Sequence, residues 1–433
     1  MKLLQLSICL LLASTNLQAQ EVWTLERCVK RAIDKNISIK QSKADFKSTS
    51  LNKTTAIANF LPSINLRASH SWDVGLNQNI TTSLGDMTNT SANVGINLFN
   101  GLQNIQQLHR ANLSILASQY QLANMTENIS LLVANSYLQI LFNRESLGVQ
   151  YSQLTIANKE LIIAQERLKS GIIPKGDVLE IEANVATIEQ NVVVAENNYQ
   201  LSKISLAQLL LISEIDNFEI AQEKAIAPES TILNTNVNAI YLTAVGKRND
   251  VKLAETNLKI AKKDLAISKG SVLPKLSGSY SYNSGVLFDA SNNDSNILDF
   301  PVKAGQVFGL NLTIPIFNRM ANNTNIKRSK INIQKSNYAL EQVKLDLENT
   351  INQAYNDAKG SLKAHQAAEK TVAARKLAYE YAKERFDNGG MNTFNFLQAG
   401  QRYEAAQSEL IKTKYNYIFK LKVLEFYFGE ASL

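Results

Sequence analysis

The chain has 433 residues, with 45 Lys and Arg against 38 Asp and Glu, a formal net charge of +7 and a pI of about 9.1. A hydrophobic content of 45% excludes a disordered chain, and a mean hydropathy of −0.15 excludes a polytopic bundle of membrane-spanning helices. Only 6 Pro and 18 Gly occur, so long stretches carry no helix breaker, and two cysteines, Cys9 and Cys28, exclude a disulfide framework or a cysteine metal site.

In chain order, Met1-Lys2 and the apolar run over 3–12 read as an export signal, too short to span a bilayer. The signal is assigned to residues 1–20, with cleavage near Ala19 or Gln20, although Leu17 stands where a small residue is preferred. Glu26-Arg27 ahead of Cys28 do not fit lipid attachment, so Cys28 is expected to be a buried apolar side chain without an acyl anchor. A helix is predicted over about 24–58. Strict alternation follows, with Ile64, Leu66, Ala68, His70, Trp72 and Val74 on one face and Ser63, Asn65, Arg67, Ser69, Ser71 and Asp73 on the other, the pattern of a strand with one apolar side. A polar loop over 75–91 leads to a second strand, where Val94, Ile96 and Leu98 alternate with Asn93, Gly95 and Asn97. From Gly101 to Lys169 no Pro occurs, and Val133, Ile140, Leu147, Leu154, Leu161 and Leu168 recur every seven residues. That stretch predicts one helix of about 65 to 70 residues, roughly 100 Å at 1.5 Å per residue. After a turn at Gly171, positions Val178, Ile181, Val185, Ile188 and Val192 follow the 3-4 spacing of a coiled-coil seam.

The second half repeats the first. Adding 218 takes Phe99-Asn100 to Phe317-Asn318, Tyr137 to Tyr355, Arg167 to Arg385 and Gly171 to Gly389. Upstream the offset is 212, pairing Leu61-Pro62 with Leu273-Pro274. The chain is therefore divided into a first repeat, 21–212, an irregular inter-repeat segment, 213–237, and a second repeat, 238–433, each reading as helix, two strands, long helix and helix. In the second repeat the helix is predicted over about 238–269. Leu276, Tyr280 and Tyr282 mark the third strand and Phe308, Leu310 and Leu312 the fourth, around a polar loop over 285–304.

These strands are as long as tilted strands that cross an outer membrane. Four strands cannot close a barrel alone, and an open edge in lipid leaves backbone groups unpaired, so the chain must oligomerise; geometry admits a dimer or a trimer. Ile64, Leu66 and Leu310 are expected to meet lipid, with Arg67, Asn97, Asn283 and Asn311 lining the lumen. A soluble periplasmic coiled-coil scaffold is the competing reading, and it requires the four alternating segments to form a sheet in water.

The duplicated pattern resembles the TolC-type outer membrane efflux protein family. The likeness rests on the opening Trp23-Thr24-Leu25-Glu26-Arg27-Cys28-Val29, the Leu-Pro before each first strand, and the turn motifs Glu166-Arg167-Leu168-Lys169-Ser170-Gly171 and Glu384-Arg385-Phe386-Asp387-Asn388-Gly389. The resemblance implies an α+β membrane protein: a homotrimer with a 12-stranded transmembrane β-barrel, four strands per chain, continuous with a long α-helical coiled-coil periplasmic tunnel. It implies an exit duct for tripartite efflux or type I secretion, working with a periplasmic adaptor (membrane fusion) protein and an inner-membrane efflux pump or ABC transporter.

The resemblance also implies a gate just after the second turn, where the family carries acidic residues. The matching positions are Asn395 and Gln398, both amides, so the expected carboxylate ring is absent. In the first half Asp177 and Glu180 keep carboxylates and suit either a latch or an N-terminal cap of the following helix. Arg167 and Arg385 suit either a gating contact or a cation at a helix C-terminus. Gly171, Pro174, Lys175, Gly389 and Gly390 mark the tips expected to meet the adaptor. No catalytic, metal or cofactor motif is present: His70, His109 and His365 form no triad or metal pair, and no phosphate-binding loop occurs. The positive charge is interspersed with Asp and Glu on helix faces and does not point to nucleic acid.

Overall fold

The computed structural model describes residues 22–72, 86–221, 231–288 and 303–428. The expected signal at 1–20, most of each loop between paired strands and part of the inter-repeat segment lie outside the described residues. In order, the elements are α1 (Leu25–Lys35), α2 (Ile37–Ala58), β1 (Ser63–Ser71), β2 (Asp86–Asn100), α3 (Gln103–Lys169), α4 (Lys175–Leu209), a 3-10 turn (Thr231–Asn234), α5 (Val237–Lys247), α6 (Asn249–Gly270), β3 (Lys275–Phe288), β4 (Lys303–Thr313), α7 (Ala321–Asp387) and α8 (Thr393–Phe428). The chain divides into two compact units, each taking segments from both repeats: Met1–Ser42, Leu122–Asn249 and Lys344–Leu433 in one, Lys43–Gln121 and Asp250–Val343 in the other.

Helices α3 and α7 each run 67 residues without interruption, as their lack of proline and shared heptad stripe predict. The single helices expected over 24–58 and 238–269 are instead each broken once. Asn36 (ψ 134°) separates α1 from α2, and Arg248 (ψ 132°), 212 residues later, separates α5 from α6. Neither break uses proline or glycine. At the first, Asn36 turns its Oδ1 to the amides of Ser38 and Ile39 and its Nδ2 to the Leu209 carbonyl, so one side chain starts α2 and ends α4.

In the first unit, Cys28, Val29 and Ala32 of α1 pack on Val133, Tyr137 and Ile140 of α3, Leu206 and Leu210 at the end of α4, and Phe218 and Ile220 of the inter-repeat segment. Main-chain bonds tie Trp23 to Glu219 and Ala221. The duplication is visible in hydrogen bonds as well: the Tyr137 hydroxyl donates to the Trp23 carbonyl, and its counterpart Tyr355 donates to the Leu233 carbonyl. The predicted seam is buried at Val178, Ile181, Val185, Ile188 and Val192 in α4, and Phe396, Ala406, Tyr417 and Leu424 are buried in α8.

In the second unit, the four strands form one antiparallel sheet in the order β1-β2-β3-β4. The strands run further into the polar segments than alternation suggests. β2 begins at Asp86 because Asn89, Thr90 and Ser91 pair with Ser69, Ala68 and Arg67, and β3 continues to Phe288. Polar residues on both faces hide that extension from a hydropathy pattern. Each passage from strand to long helix is made by two consecutive left-handed residues, Gly101-Leu102 (φ 56° and 61°) and, 218 residues on, Arg319-Met320 (φ 54° and 63°). Among the described residues, no helix is long and apolar enough to cross a membrane. Exposed apolar side chains gather on one face of the sheet, where Leu66, Phe308 and Leu310 are 77–79% exposed.

The helical tips as a candidate gate

The two helix-to-helix turns, α3 to α4 and α7 to α8, lie in the first unit and are built alike. At each, a glycine takes the left-handed conformation, Gly171 at φ 69° and Gly389 at φ 73°. The amides of Gly171 and Ile172 return to the carbonyls of Leu168 and Arg167, and those of Gly389 and Gly390 return to Phe386 and Arg385. This is the paired closure of a Schellman motif, and only glycine enters the left-handed region without a Cβ penalty. Gly390 is not in that region.

The halves differ where the next helix begins. Asn392 accepts from the Asn395 amide at 2.9 Å and caps α8, whereas its counterpart Pro174 caps α4 with no side-chain bond. Asp177 is therefore the third residue of α4 and not its cap. Its carboxylate sits in the first turn, where the helix dipole favours negative charge. Sequence reasoning on the Asp-x-x-Glu pattern placed the helix start too late, because proline supplies the extended cap geometry that Asp177 was expected to supply.

Arg167 crosses to the other hairpin. Its guanidinium donates to the Asp387 carboxylate at 3.1 Å and to the main-chain carbonyls of Asp387 (3.2 Å) and Phe386 (3.5 Å), and it lies 5.4 Å from the Phe386 ring centroid. One cation thus occupies the C-terminal end of α7 and stacks over its aromatic residue. Arg385 makes no such crossing; it is exposed and donates to the Gly390 carbonyl in its own turn. Below the clamp, Phe386 stacks on Phe396 at 4.5 Å, and Phe386 and Leu397 pack on Ala164, Val178 and Ile181 of the first hairpin.

About two helical turns further in, the Tyr379 hydroxyl donates to Glu160 at 2.5 Å, and Lys383 approaches the same carboxylate at 3.7 Å. Burial raises the Glu160 carboxyl above its ordinary value, outweighing the lowering by Tyr379 and Lys383. Burial also raises Glu404, against a hydrogen bond from Gln150, and burial with the Glu160 contact pushes the Tyr379 phenol up. Glu160, Glu404, Tyr379, Tyr403 and Gln153 surround a cavity of about 30 Å³ between the hairpins, and Gln153 donates to Gln407, which donates to the Tyr403 hydroxyl.

Of the residues singled out by sequence, Arg167 makes the contact between hairpins, and Gly171, Pro174, Lys175, Gly389 and Gly390 make the turns. Asn395 and Glu180 are exposed, while Gln398 and Asp177 are half-buried. The side chains of these four form no hydrogen bond or ion pair with one another among the described residues. Asp387, Tyr379, Glu160 and Asn392 were missed. Tyr379 and Phe386 stand 218 residues after Leu161 and Leu168 of the seven-residue stripe, which marks them as inward-facing, but nothing in the spacing pairs Tyr379 with Glu160.

The outer membrane efflux protein family matches residues 28–210 and 241–430. The outer membrane protein TolC of Vibrio cholerae is 22% identical over 318 residues, covering 73% of this chain and 70% of the relative. The TolC of Salmonella enteritidis is 21% identical over 414 residues, covering 91% and 79%. The solved structure of CusC superposes with a TM-score of 0.80 at 17% identity, covering 94% of this chain and 92% of that one. With both repeats matched and the fold shared from end to end of the duplicated pattern, the chain belongs to the outer membrane efflux protein family.

Proposed function

We propose that the chain works as a homotrimer, three sheets closing a 12-stranded barrel in the outer membrane and the helices forming a periplasmic tunnel that receives substrate from an inner-membrane efflux pump or ABC transporter through a periplasmic adaptor. The observation that carries the reading is the open sheet: β1 and β4 are both edges, and the face holding Ile64, Leu66, Phe308 and Leu310 is exposed. In lipid, unpaired strand edges leave backbone groups unsatisfied at several kcal/mol each, and closure with other copies removes the edges. Conduction is passive, with energy supplied by the pump. The tips around Gly171, Pro174, Lys175, Gly389 and Gly390 are the adaptor contacts in this reading, and the Arg167 clamp holds the two hairpins of a protomer together in the closed state. Asn395, Gln398, Asp177 and Glu180 flank the constriction, and Arg385, free of the neighbouring hairpin, is available to another copy.

The test is the mass of the mature protein extracted in mild detergent, by light scattering corrected for bound detergent. A trimer that needs detergent supports the reading; a water-soluble monomer or dimer overturns it.

A further inference from the structure

The sheet register sorts every charged strand position onto a face. Residue pairs across the four strands form rows: Arg67, Ser91, Asn283 and Gly305; then Asn65, Asn93, Ser281 and Val307; then Ser63, Gly95, Ser279 and Gly309. Nearer the helices come Asn97, Ser277 and Asn311, then Asn100, Lys275 and Thr313; beyond Arg67 come Ser69, Asn89, Gly285 and Lys303. Among the described residues this face is made of hydroxyls, amides, glycine and Val307, with basic register positions at three levels, Lys275, Arg67 and Lys303, and no Asp or Glu. Asp86, the one acidic strand residue, takes a register position on the opposite face, opposite Phe288. Arg67 is exposed, and its row offers it no carboxylate.

The opposite face carries Ile64, Leu66, Leu98, Phe308, Leu310 and Leu312, all exposed. In a closed barrel that face meets lipid and the Arg67 face lines the water-filled lumen. We infer that the barrel lumen of this channel prefers anions, with Arg67 as its main selectivity charge. The inference rests on the trimeric channel proposed above and adds a substrate class, solutes carrying net negative charge. The physical reason is that fixed positive charges in an aqueous passage with low-dielectric walls concentrate counter-ions, and no carboxylate among the described residues of this face offsets them. At the tips the amides Asn395 and Gln398 add no charge, and the carboxylates there are those of Asp177 and Glu180 in the first half.

Two measurements on the full mature chain test this. In planar bilayers under a KCl gradient, the reversal potential should show chloride favoured over potassium. Arg67→Glu should lower that ratio about threefold or more, while Arg67→Lys should keep it. Separately, Arg67→Cys in proteoliposomes should react faster with a negatively charged methanethiosulfonate reagent than with a positively charged one; Cys28 is buried and adds no background. A conducting trimer that favours potassium, or one whose ion ratio ignores Arg67→Glu, overturns the inference and leaves the channel reading standing. A protein that is monomeric and gives no conductance overturns both.

Discussion

Arg167 and Arg385 occupy equivalent positions 218 residues apart, yet only Arg167 reaches the other hairpin, where it holds the Asp387 carboxylate at 3.1 Å. The difference lies in the partner. Lys169 stands in the first half where Asp387 stands in the second, so the reciprocal contact by Arg385 would bring two cations together. Arg167→Ala should therefore loosen the tips and raise single-channel conductance, at a stability loss of about 1 kcal/mol for a partly exposed charged pair. Arg385→Ala, which removes no contact between the two hairpins of one protomer, should raise it less. Equal effects from both would remove Arg167 from the closed state.

The buried carboxylates give the inter-hairpin contact a pH dependence. Glu160 is raised from 4.5 chiefly by burial, and Glu404 is raised for the same reason. A carboxyl whose folded pKa exceeds its unfolded value binds its proton more tightly in the folded state, so stability falls as pH climbs from about 4.5 through the raised value and is level above it. Tyr379 and Lys383 on α7 favour ionised Glu160 and Asp387 opposes it, so they set how wide that window is. Thermal unfolding of the Glu160→Gln, Glu404→Gln double variant should lack this descending step, while wild type shows it. Melting curves that shift in parallel at every pH would show that these groups do not titrate with folding.

Much of this arrangement was legible in the sequence, and the losses have physical causes. The 218-residue offset located the Gly171 and Gly389 turns, because a helix reversal needs a left-handed residue and glycine supplies it. The face of each strand followed from alternation between Ile64 and Ser71. The breaks at Asn36 and Arg248 were invisible, since each depends on an extended residue fixed by its surroundings and not on proline or glycine. The Glu160–Tyr379 bond was invisible for another reason: it joins helices from different repeats, and heptad position states that a residue faces inward without naming its partner.

Cys28 should be chemically silent in the folded protein. It is fully buried among Val29, Ala32 and Leu206, and burial pushes its thiol up to about 12, against a smaller lowering by Arg27. The thiolate is the reactive form, so maleimide labelling at pH 8 should be absent until the protein is unfolded in denaturant. Rapid labelling of the native protein would mean that α1 detaches from the core of the first unit.

In the second unit the main chain of Gly101, at the strand-to-helix turn, closely approaches that of Gly270, the last residue of α6. A Cβ on Gly270 would sit 2.4 Å from the Gly101 carbonyl oxygen and 2.6 Å from Gln103 Cγ, and a Cβ on Gly101 would sit 2.2 Å from the Gly270 oxygen. One of the two contacts is with rigid main chain, so a side chain there forces the turn and helix apart. Gly270→Ala should lower stability by about 1 to 3 kcal/mol, as overpacking does. Gly176→Ala, where a new Cβ meets nothing within 4 Å, should be neutral or slightly stabilising through helix propensity. The check is the yield and melting temperature of assembled protein for both variants, and a Gly270→Ala protein as stable as Gly176→Ala would show that α6 can slide past the turn without loss.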